Sequence, residues 1–309
     1  VIKLSHHPDY CLPLPTHHPF PMAKYTLVHR YLCERGLLGP DQRIEPGEAA
    51  VADLERVHTR SYLEALAAGR LDAAAQRRIG VPWSARLWRR SRLAVQGTLE
   101  AARAALATHS IAGNLAGGTH HAFADHGEGF CVLNDVAVAI RALQAEGHIR
   151  RALVIDLDVH QGNGTAAIFA GDPDVFTFSM HGARNYPVQK MRSTLDLELA
   201  DGTGDDEYLD TLATHLPTVI RAARADLVFY LAGVDVVAGD RYGRLALTEQ
   251  GLQQRERRVI EAVCGADAPL VITLAGGYAV TAERTAELHA IVFEAAAAWC
   301  QRAAGVARE

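Results

Sequence analysis

Long hydrophobic runs are missing from this 309-residue chain: no stretch stays apolar over the ~20 residues a membrane-spanning helix needs, and the amino terminus does not read as a secretory leader. Cysteine is sparse and unpaired in pattern. The five residues (Cys11, Cys33, Cys131, Cys264 and Cys300) include no Cys-x-x-Cys, which argues against a disulfide framework and a cysteine-rich zinc module, and fits a reducing, cytoplasmic setting. Basic excess is absent too. Thirty-one Lys and Arg stand against 36 Asp and Glu, and short runs such as Arg77-Arg78 and Arg89-Arg90 read as solvated helix faces, so direct nucleic-acid binding is not expected. There is no internal repeat, low-complexity tract or Pro/Gly/Ser linker, so one domain over residues 1–309 is expected. Hydrophobic residues at 49% and charged residues at 22% supply an ordinary globular core.

What is present is an alternation of strands and helices. Apolar runs at Ala152–Val159, Val175–Met180, Asp226–Ala232 and Pro269–Ala275 read as buried strands. Helical periodicity covers Leu87–Leu106, Asp135–Glu146, Asp206–Arg224, Thr248–Cys264 and Thr281–Arg302. Continuous apolar strands between helices imply an α/β fold, a central parallel sheet with helices on both faces. The first 25 residues, rich in Pro and His, read as irregular surface backbone.

Chemistry concentrates at the carboxyl end of the first of those strands. Asp156, Asp158 and His160 sit at i, i+2 and i+4, which in extended backbone places them on one face. Buried carboxylates there need a compensating cation, and oxygen with imidazole nitrogen suits zinc. The following Gly162-Asn163-Gly164 allows a sharp turn beside the site. A third ligand is available from Gly233-Val234-Asp235-Val236-Val237-Ala238-Gly239-Asp240. Asp240, behind Gly239 in a loop, is favoured, with Asp235 read as a local acceptor that stabilises the loop.

Three further motifs fall in loops. Gly117-Gly118-Thr119-His120-His121 offers two adjacent imidazoles suited to proton transfer near neutral pH. Gly127-Glu128-Gly129-Phe130-Cys131 places an aromatic between backbone turns, where a substrate could approach closely, and Asn134 or Asp135 can cap the next helix. Gly276-Gly277-Tyr278 follows the last strand and could aim a phenol at an oxyanion.

In this order the motifs Gly-Gly-x-His-His-Ala, Gly-Phe-Cys-x-x-Asn-Asp, Asp-x-Asp-x-His-x-Gly-Asn-Gly, Gly-x-Asp-x-x-x-Gly-Asp and Gly-Gly-Tyr resemble the zinc-dependent histone deacetylase superfamily. The likeness runs from His17-His18-Pro19-Phe20-Pro21 to Tyr278, with the compact length and His-Gln-Gly-Asn-Gly of its class IV branch and bacterial relatives. The resemblance implies a single-domain arginase/deacetylase-like fold and one catalytic Zn2+ on Asp158, His160 and Asp240. It implies a histidine pair, His120 oriented by Asp156 and His121 partnered by Asn163, with Tyr278 stabilising the transition state. It also implies a structural K+ or Na+ near Asp156, Asp158, His160 and Ser179, and it suggests that Lys24 takes the place of a basic residue near the inner channel. Gly129, Phe130, Tyr186 and Leu247 would line a channel for the substrate stem.

The expected activity is hydrolysis of acetyl or longer acyl groups from N-acyl-lysine in proteins or peptides. The alternative is deacetylation of small acylated amines such as acetylpolyamines, which calls for carboxylates at the entrance. An arginase-like dimanganese hydrolase would need an Asp-x-His-x-Asp order that is absent. A catalytically silent acyl-lysine reader has no reason to keep both histidines and Tyr278.

Overall fold

The structure, a computed structural model, describes residues 2–306; residues 1 and 307–309 of the expected 1–309 domain lie outside it. Eight strands form one sheet: β1 (Lys3–Ser5), β2 (Arg43–Ile44), β3 (Ile111–Asn114), β4 (Ala152–Asp156), β5 (Val175–Gly182), β6 (Leu195–Leu199), β7 (Leu227–Leu231) and β8 (Leu270–Thr273). Their spatial order is β2-β1-β3-β8-β7-β4-β5-β6, and every pairing is parallel. Among the described residues ten α-helices surround it: α1 (Lys24–Glu34), α2 (Val51–Leu54), α3 (Arg60–Ala67), α4 (Ala73–Ile79), α5 (Ala85–Thr108), α6 (Asp135–Ala145), α7 (Asn163–Ile168), α8 (Asp205–Ala223), α9 (Glu249–Gly265) and α10 (Ala282–Val306). No helix among the described residues is long and apolar enough to cross a membrane.

Both faces of the sheet are buried, which explains why its central strands read as continuous apolar runs. Successive side chains alternate in direction. Thus Ala152 and Val154 of β4 enter the core beneath α5 and α6, while Leu153 and Ile155 enter the core beneath α8, α9 and α10. Helix starts follow their capping residues: the Ser84 hydroxyl accepts from Leu87 N (3.0 Å), and the Thr248 hydroxyl from Gly251 N (3.0 Å).

The long elements agree with the sequence reading to within a few residues, and the α/β class is the observed one. Three readings change. The amino-terminal segment is not all irregular, because β1 sits inside the sheet between β2 and β3. The short strands β1, β2, β3 and β6 carry too few apolar residues, or too much glycine and acid, to announce themselves. And β4 stops at Asp156, so Asp158 and His160 lie in irregular backbone beyond the strand rather than along it.

The chain runs outward from β4 to β5 and β6, then returns to β7 on the other side of β4. Such a reversal opens a crevice at the carboxyl ends of the strands, where open α/β sheets place their sites. The loops after β3, β8, β7 and β4, four neighbours in the sheet, carry all the motifs described above.

Candidate metal and catalytic centre

Asp158, His160 and Asp235 converge. One ligand atom from each lies within 4.8 Å of the others, and all three residues are buried. His160 Nδ1 is 2.9 Å from Asp158 Oδ1 and 3.2 Å from Asp235 Oδ2. Two carboxylates aimed at one ring nitrogen make a strong demand for positive charge. Burial alone would keep His160 neutral, yet Asp158 and Asp235 push it up to about 10. Burial and the Asp158 charge raise the Asp235 carboxyl to about 7. Asp235 Oδ1 accepts from Val159 N (2.9 Å), whereas Oδ2, fully buried, has no hydrogen-bond partner. An orphaned carboxylate oxygen, a second carboxylate and an imidazole nitrogen facing one point fit a divalent metal, and this donor set suits Zn2+. The backbone makes room for it: a Cβ on Gly276 would strike the carboxylate oxygens of both Asp235 and Asp158.

The third member of this cluster is Asp235, and Asp240, the ligand expected from the sequence, lies beside it in the same loop. Asp240 Oδ1 accepts from Tyr242 N (2.9 Å) and Gly243 N (3.0 Å), and its Oδ2 accepts from Tyr278 N (2.7 Å). Three backbone donors satisfy it, so it clamps two loops together. Asp235 faces Asp158 because of its place along the chain. Asp235 leaves β7 only four residues after Leu231, and the side-chain-free Gly233 lets that turn lie against Asp158.

The histidine pair sits beside this cluster, with ring centroids 4.1 Å apart. Asp135 fixes their loop by accepting from Gly118 N (3.1 Å), Thr119 N (2.8 Å) and the Thr98 hydroxyl (2.6 Å), while Asn134 caps α6 by accepting from Ala137 N (3.0 Å). His120 Nδ1 is 2.7 Å from Asp156 Oδ2, and His121 Nδ1 is 2.7 Å from Asn163 Oδ1. Burial opposes charge on both rings. In His120 the Asp156 and Asp158 carboxylates outweigh it and push the ring up to about 9. In His121 burial, with the neighbouring charges of His120 and His160, holds the ring well below its ordinary value. The surroundings thus favour the charged form of His120 and the neutral form of His121.

Glu128 completes this arrangement. Its Oε1 accepts from Asn163 Nδ2 (2.5 Å) and from the Tyr186 hydroxyl (2.8 Å). The Asn163 amide is therefore oriented with its carbonyl toward His121, which makes Nδ1 of His121 the donor and leaves Nε2 as the free lone pair.

Above the cluster opens a cleft of about 440 Å³ lined by His121, Gly129, Phe130, His160, Tyr186, Tyr242 and Tyr278 among others. Gly129 (φ +56°) passes so close to His121 that a Cβ would lie 2.6 Å from Cδ2, and Phe130 itself adopts φ +67°, a strained conformation for a residue with a side chain. Tyr186 meets His121 edge-on at 5.0 Å, and Tyr242 meets Tyr278 at 5.0 Å. Burial and the Asp235 and Asp158 charges keep the Tyr278 phenol far above its ordinary range, so it stays a donor. Leu247 is not part of the wall, which corrects the channel residues expected from the sequence. It is fully buried in the core, and its backbone pairs with Val236 and Ala238. Tyr242 occupies the cleft on that side.

Lys24 lies behind Tyr278: its ammonium donates to Ala275 O (2.8 Å) and sits 5.8 Å from the Tyr278 ring centroid. Ser179 is the register partner of Asp156 in β5, and its hydroxyl is 2.8 Å from His181 Nδ1.

A parallel α/β sheet whose strand ends gather two carboxylates, an imidazole, a histidine pair and a tyrosine defines a hydrolase of the deacetylase kind. The model of the histone deacetylase domain matches residues 18–295, and the chain belongs to the histone deacetylase family. Histone deacetylase 2 of Arabidopsis thaliana is 33% identical over 86% of this chain and 71% of its own length. An uncharacterized protein of Picosynechococcus sp. is 49% identical over 94% of this chain and 97% of its own. The crystal structure of the HDA15 HD domain shares the fold, with a TM-score of 0.77 at 23% identity, covering 94% of this chain and 88% of that one.

Proposed function

We propose that the protein is a zinc-dependent deacylase acting on N-acyl-lysine in proteins or peptides. The observation that carries this reading is the meeting of the Asp158–His160–Asp235 cluster, the His121 ring held at Nδ1 by Asn163, and the Tyr278 phenol at the floor of an aromatic cleft. Asp158, His160 and Asp235 would hold a Zn2+ ion, which would supply Lewis acidity toward an acyl oxygen and toward water at neutral pH. The protein's own groups do the rest. His121, with Nδ1–H held by Asn163, takes a proton at Nε2 and returns it to the leaving amine. His120 keeps its charge through Asp156 and stabilises negative charge developing nearby. Tyr278 donates to the oxyanion. Gly129, Phe130 and Tyr186 wall the acyl-lysine stem and exclude water. The same reading carries a structural K+ or Na+ near Asp156, Asp158, His160 and Ser179, supported by the adjacency of β4 and β5 there.

The acetylpolyamine alternative calls for free carboxylates at the entrance, whereas the acids there are engaged: Glu128 accepts from Asn163 and Tyr186, and Asp201 pairs with Arg184 and Arg244. The test is hydrolysis of an acetyl-lysine peptide, and of one with a longer acyl chain, by protein of measured metal content. Activity should vanish with a chelator and return with about one equivalent of Zn2+. A fully metal-loaded protein that hydrolyses neither peptide overturns the proposal.

A further inference from the structure

The mouth of the cleft carries a concentration of one charge that the whole chain does not. Arg77, Arg78, Arg184 and Arg244 all line it, in a protein whose formal net charge is −5. Arg77 and Arg78 close the last turn of α4, are exposed, and have no carboxylate within salt-bridge distance among the described residues. Their place at the rim is fixed by backbone: Gly129 N donates to Arg78 O (3.1 Å) and Phe130 N to Ile79 O (2.8 Å), which ties the end of α4 to the aromatic wall. Across the mouth, Arg184 and Arg244 share a single acid, Asp201, at 3.5 and 3.1 Å. The other nearby acid, Glu128, is engaged by Asn163 and Tyr186. Between the arginines the rim is apolar. Tyr186 and Tyr242 are partly exposed, and Val188, in the loop that carries Arg184, is 99% exposed.

We propose that this rim selects acidic peptide sequence: the acyl-lysine enters the cleft while Asp or Glu residues flanking it in the substrate protein bind Arg77 and Arg78 on one side and Arg184 and Arg244 on the other. The inference rests on the deacylase reading and names its substrate class. Guanidiniums on opposite sides of a narrow opening attract carboxylates on both flanks of one extended segment, and they repel a cationic polyamine. Exposed tyrosines and Val188 give the peptide backbone an apolar bed between the charges. A single exposed ion pair contributes little, but several acting on one peptide multiply.

The experiment compares acetyl-lysine peptides of one length with flanks of Asp/Glu, Ser/Gly or Lys/Arg, together with an acetylpolyamine, on the zinc-loaded enzyme. Acidic flanks should raise kcat/KM about tenfold over basic ones at low salt, and the difference should shrink to within about twofold at 0.5 M NaCl. Because the acidic-to-basic ratio is measured within each enzyme, a general loss of turnover divides out. In Arg77→Glu/Arg78→Glu the ratio should invert or fall to about one, and Arg77→Ala/Arg78→Ala should give an intermediate ratio if the reversal fails to fold. Equal rates on all flanks, or a preference for basic flanks or the acetylpolyamine, overturn the inference while leaving a deacylase. If no acylated compound is hydrolysed the functional reading fails, and fluorescence anisotropy with the same labelled peptides still decides whether the rim prefers acid.

Discussion

Asn163→Asp exchanges a neutral partner of His121 for a charged one, and the neighbouring histidine serves as an internal calibration. His120 and His121 are equally buried, each 4% exposed, and each has a partner oxygen 2.7 Å from Nδ1. Facing a carboxylate, His120 is pushed up to about 9; facing an amide, His121 is held well below 6.5. Part of the rise in His120 comes from Asp158, 4.0 Å from its Nε2, so the partner exchange alone should raise His121 by about two pH units, equivalent to about 3 kcal/mol. The base must be neutral to act, so activity is lost as pH falls through its pKa; raising that pKa moves the acid limb of kcat/KM upward and lowers turnover near neutrality. The local structure adds a complication. The new carboxylate would face Glu128, whose Oε1 now accepts from Asn163 Nδ2, and a proton held between two acids would blunt the effect. Asn163→Asp/Glu128→Gln removes that repulsion and should show the full displacement. The assay is kcat/KM for an acetyl-lysine peptide from about pH 5 to about pH 10 in the parent and both variants, with metal content checked throughout. A bound cation contributes equally to each enzyme and cancels. An acid limb unmoved in the metal-replete double variant would refute the assignment of His121 as the base.

Two further outcomes follow from the geometry. Asp235→Asn should cost the protein its stoichiometric Zn2+, read by metal analysis after dialysis, whereas Asp240→Asn should keep the metal and instead loosen the Tyr278 loop, lowering kcat; the reverse pattern would restore Asp240 as the ligand. Tyr278→Phe should retain Zn2+ and lower kcat by about 10²–10³, as loss of one oxyanion donor does; unchanged turnover would remove the phenol from the reaction.

Sequence reading succeeded where side-chain pattern and spacing are local. The runs that became β4, β5, β7 and β8 are apolar because both faces of those strands are covered, and α5, α6, α8, α9 and α10 are long enough to show their period. It failed where the answer depends on three-dimensional neighbours. Leu247 lies near the cleft residue Tyr242 in sequence, but points into the core. Arg77-Arg78 read as a solvated helix end, and nothing within α4 indicates that Gly129 and Phe130 will bring it to the mouth. β3, with Gly113 and Asn114 in four residues, gave no strand signal, yet it delivers the histidine loop.

The buried Lys24 bears on how the molecule tolerates an empty centre. Four carboxylates, from Asp156, Asp158, Asp235 and Asp240, crowd the strand ends, and the His120 imidazolium and the Lys24 ammonium are among the positive groups that stand against them. Burial lowers Lys24 only to about 8, so most of its charge survives at neutral pH. A divalent ion would offset much of the remaining negative charge. When it leaves, His160 and Asp235 can bind protons in its place, since the same surroundings raise both. Demetallation is thus an exchange of one cation for hydrogen ions, and the emptied protein should keep its shape and wait to be reloaded.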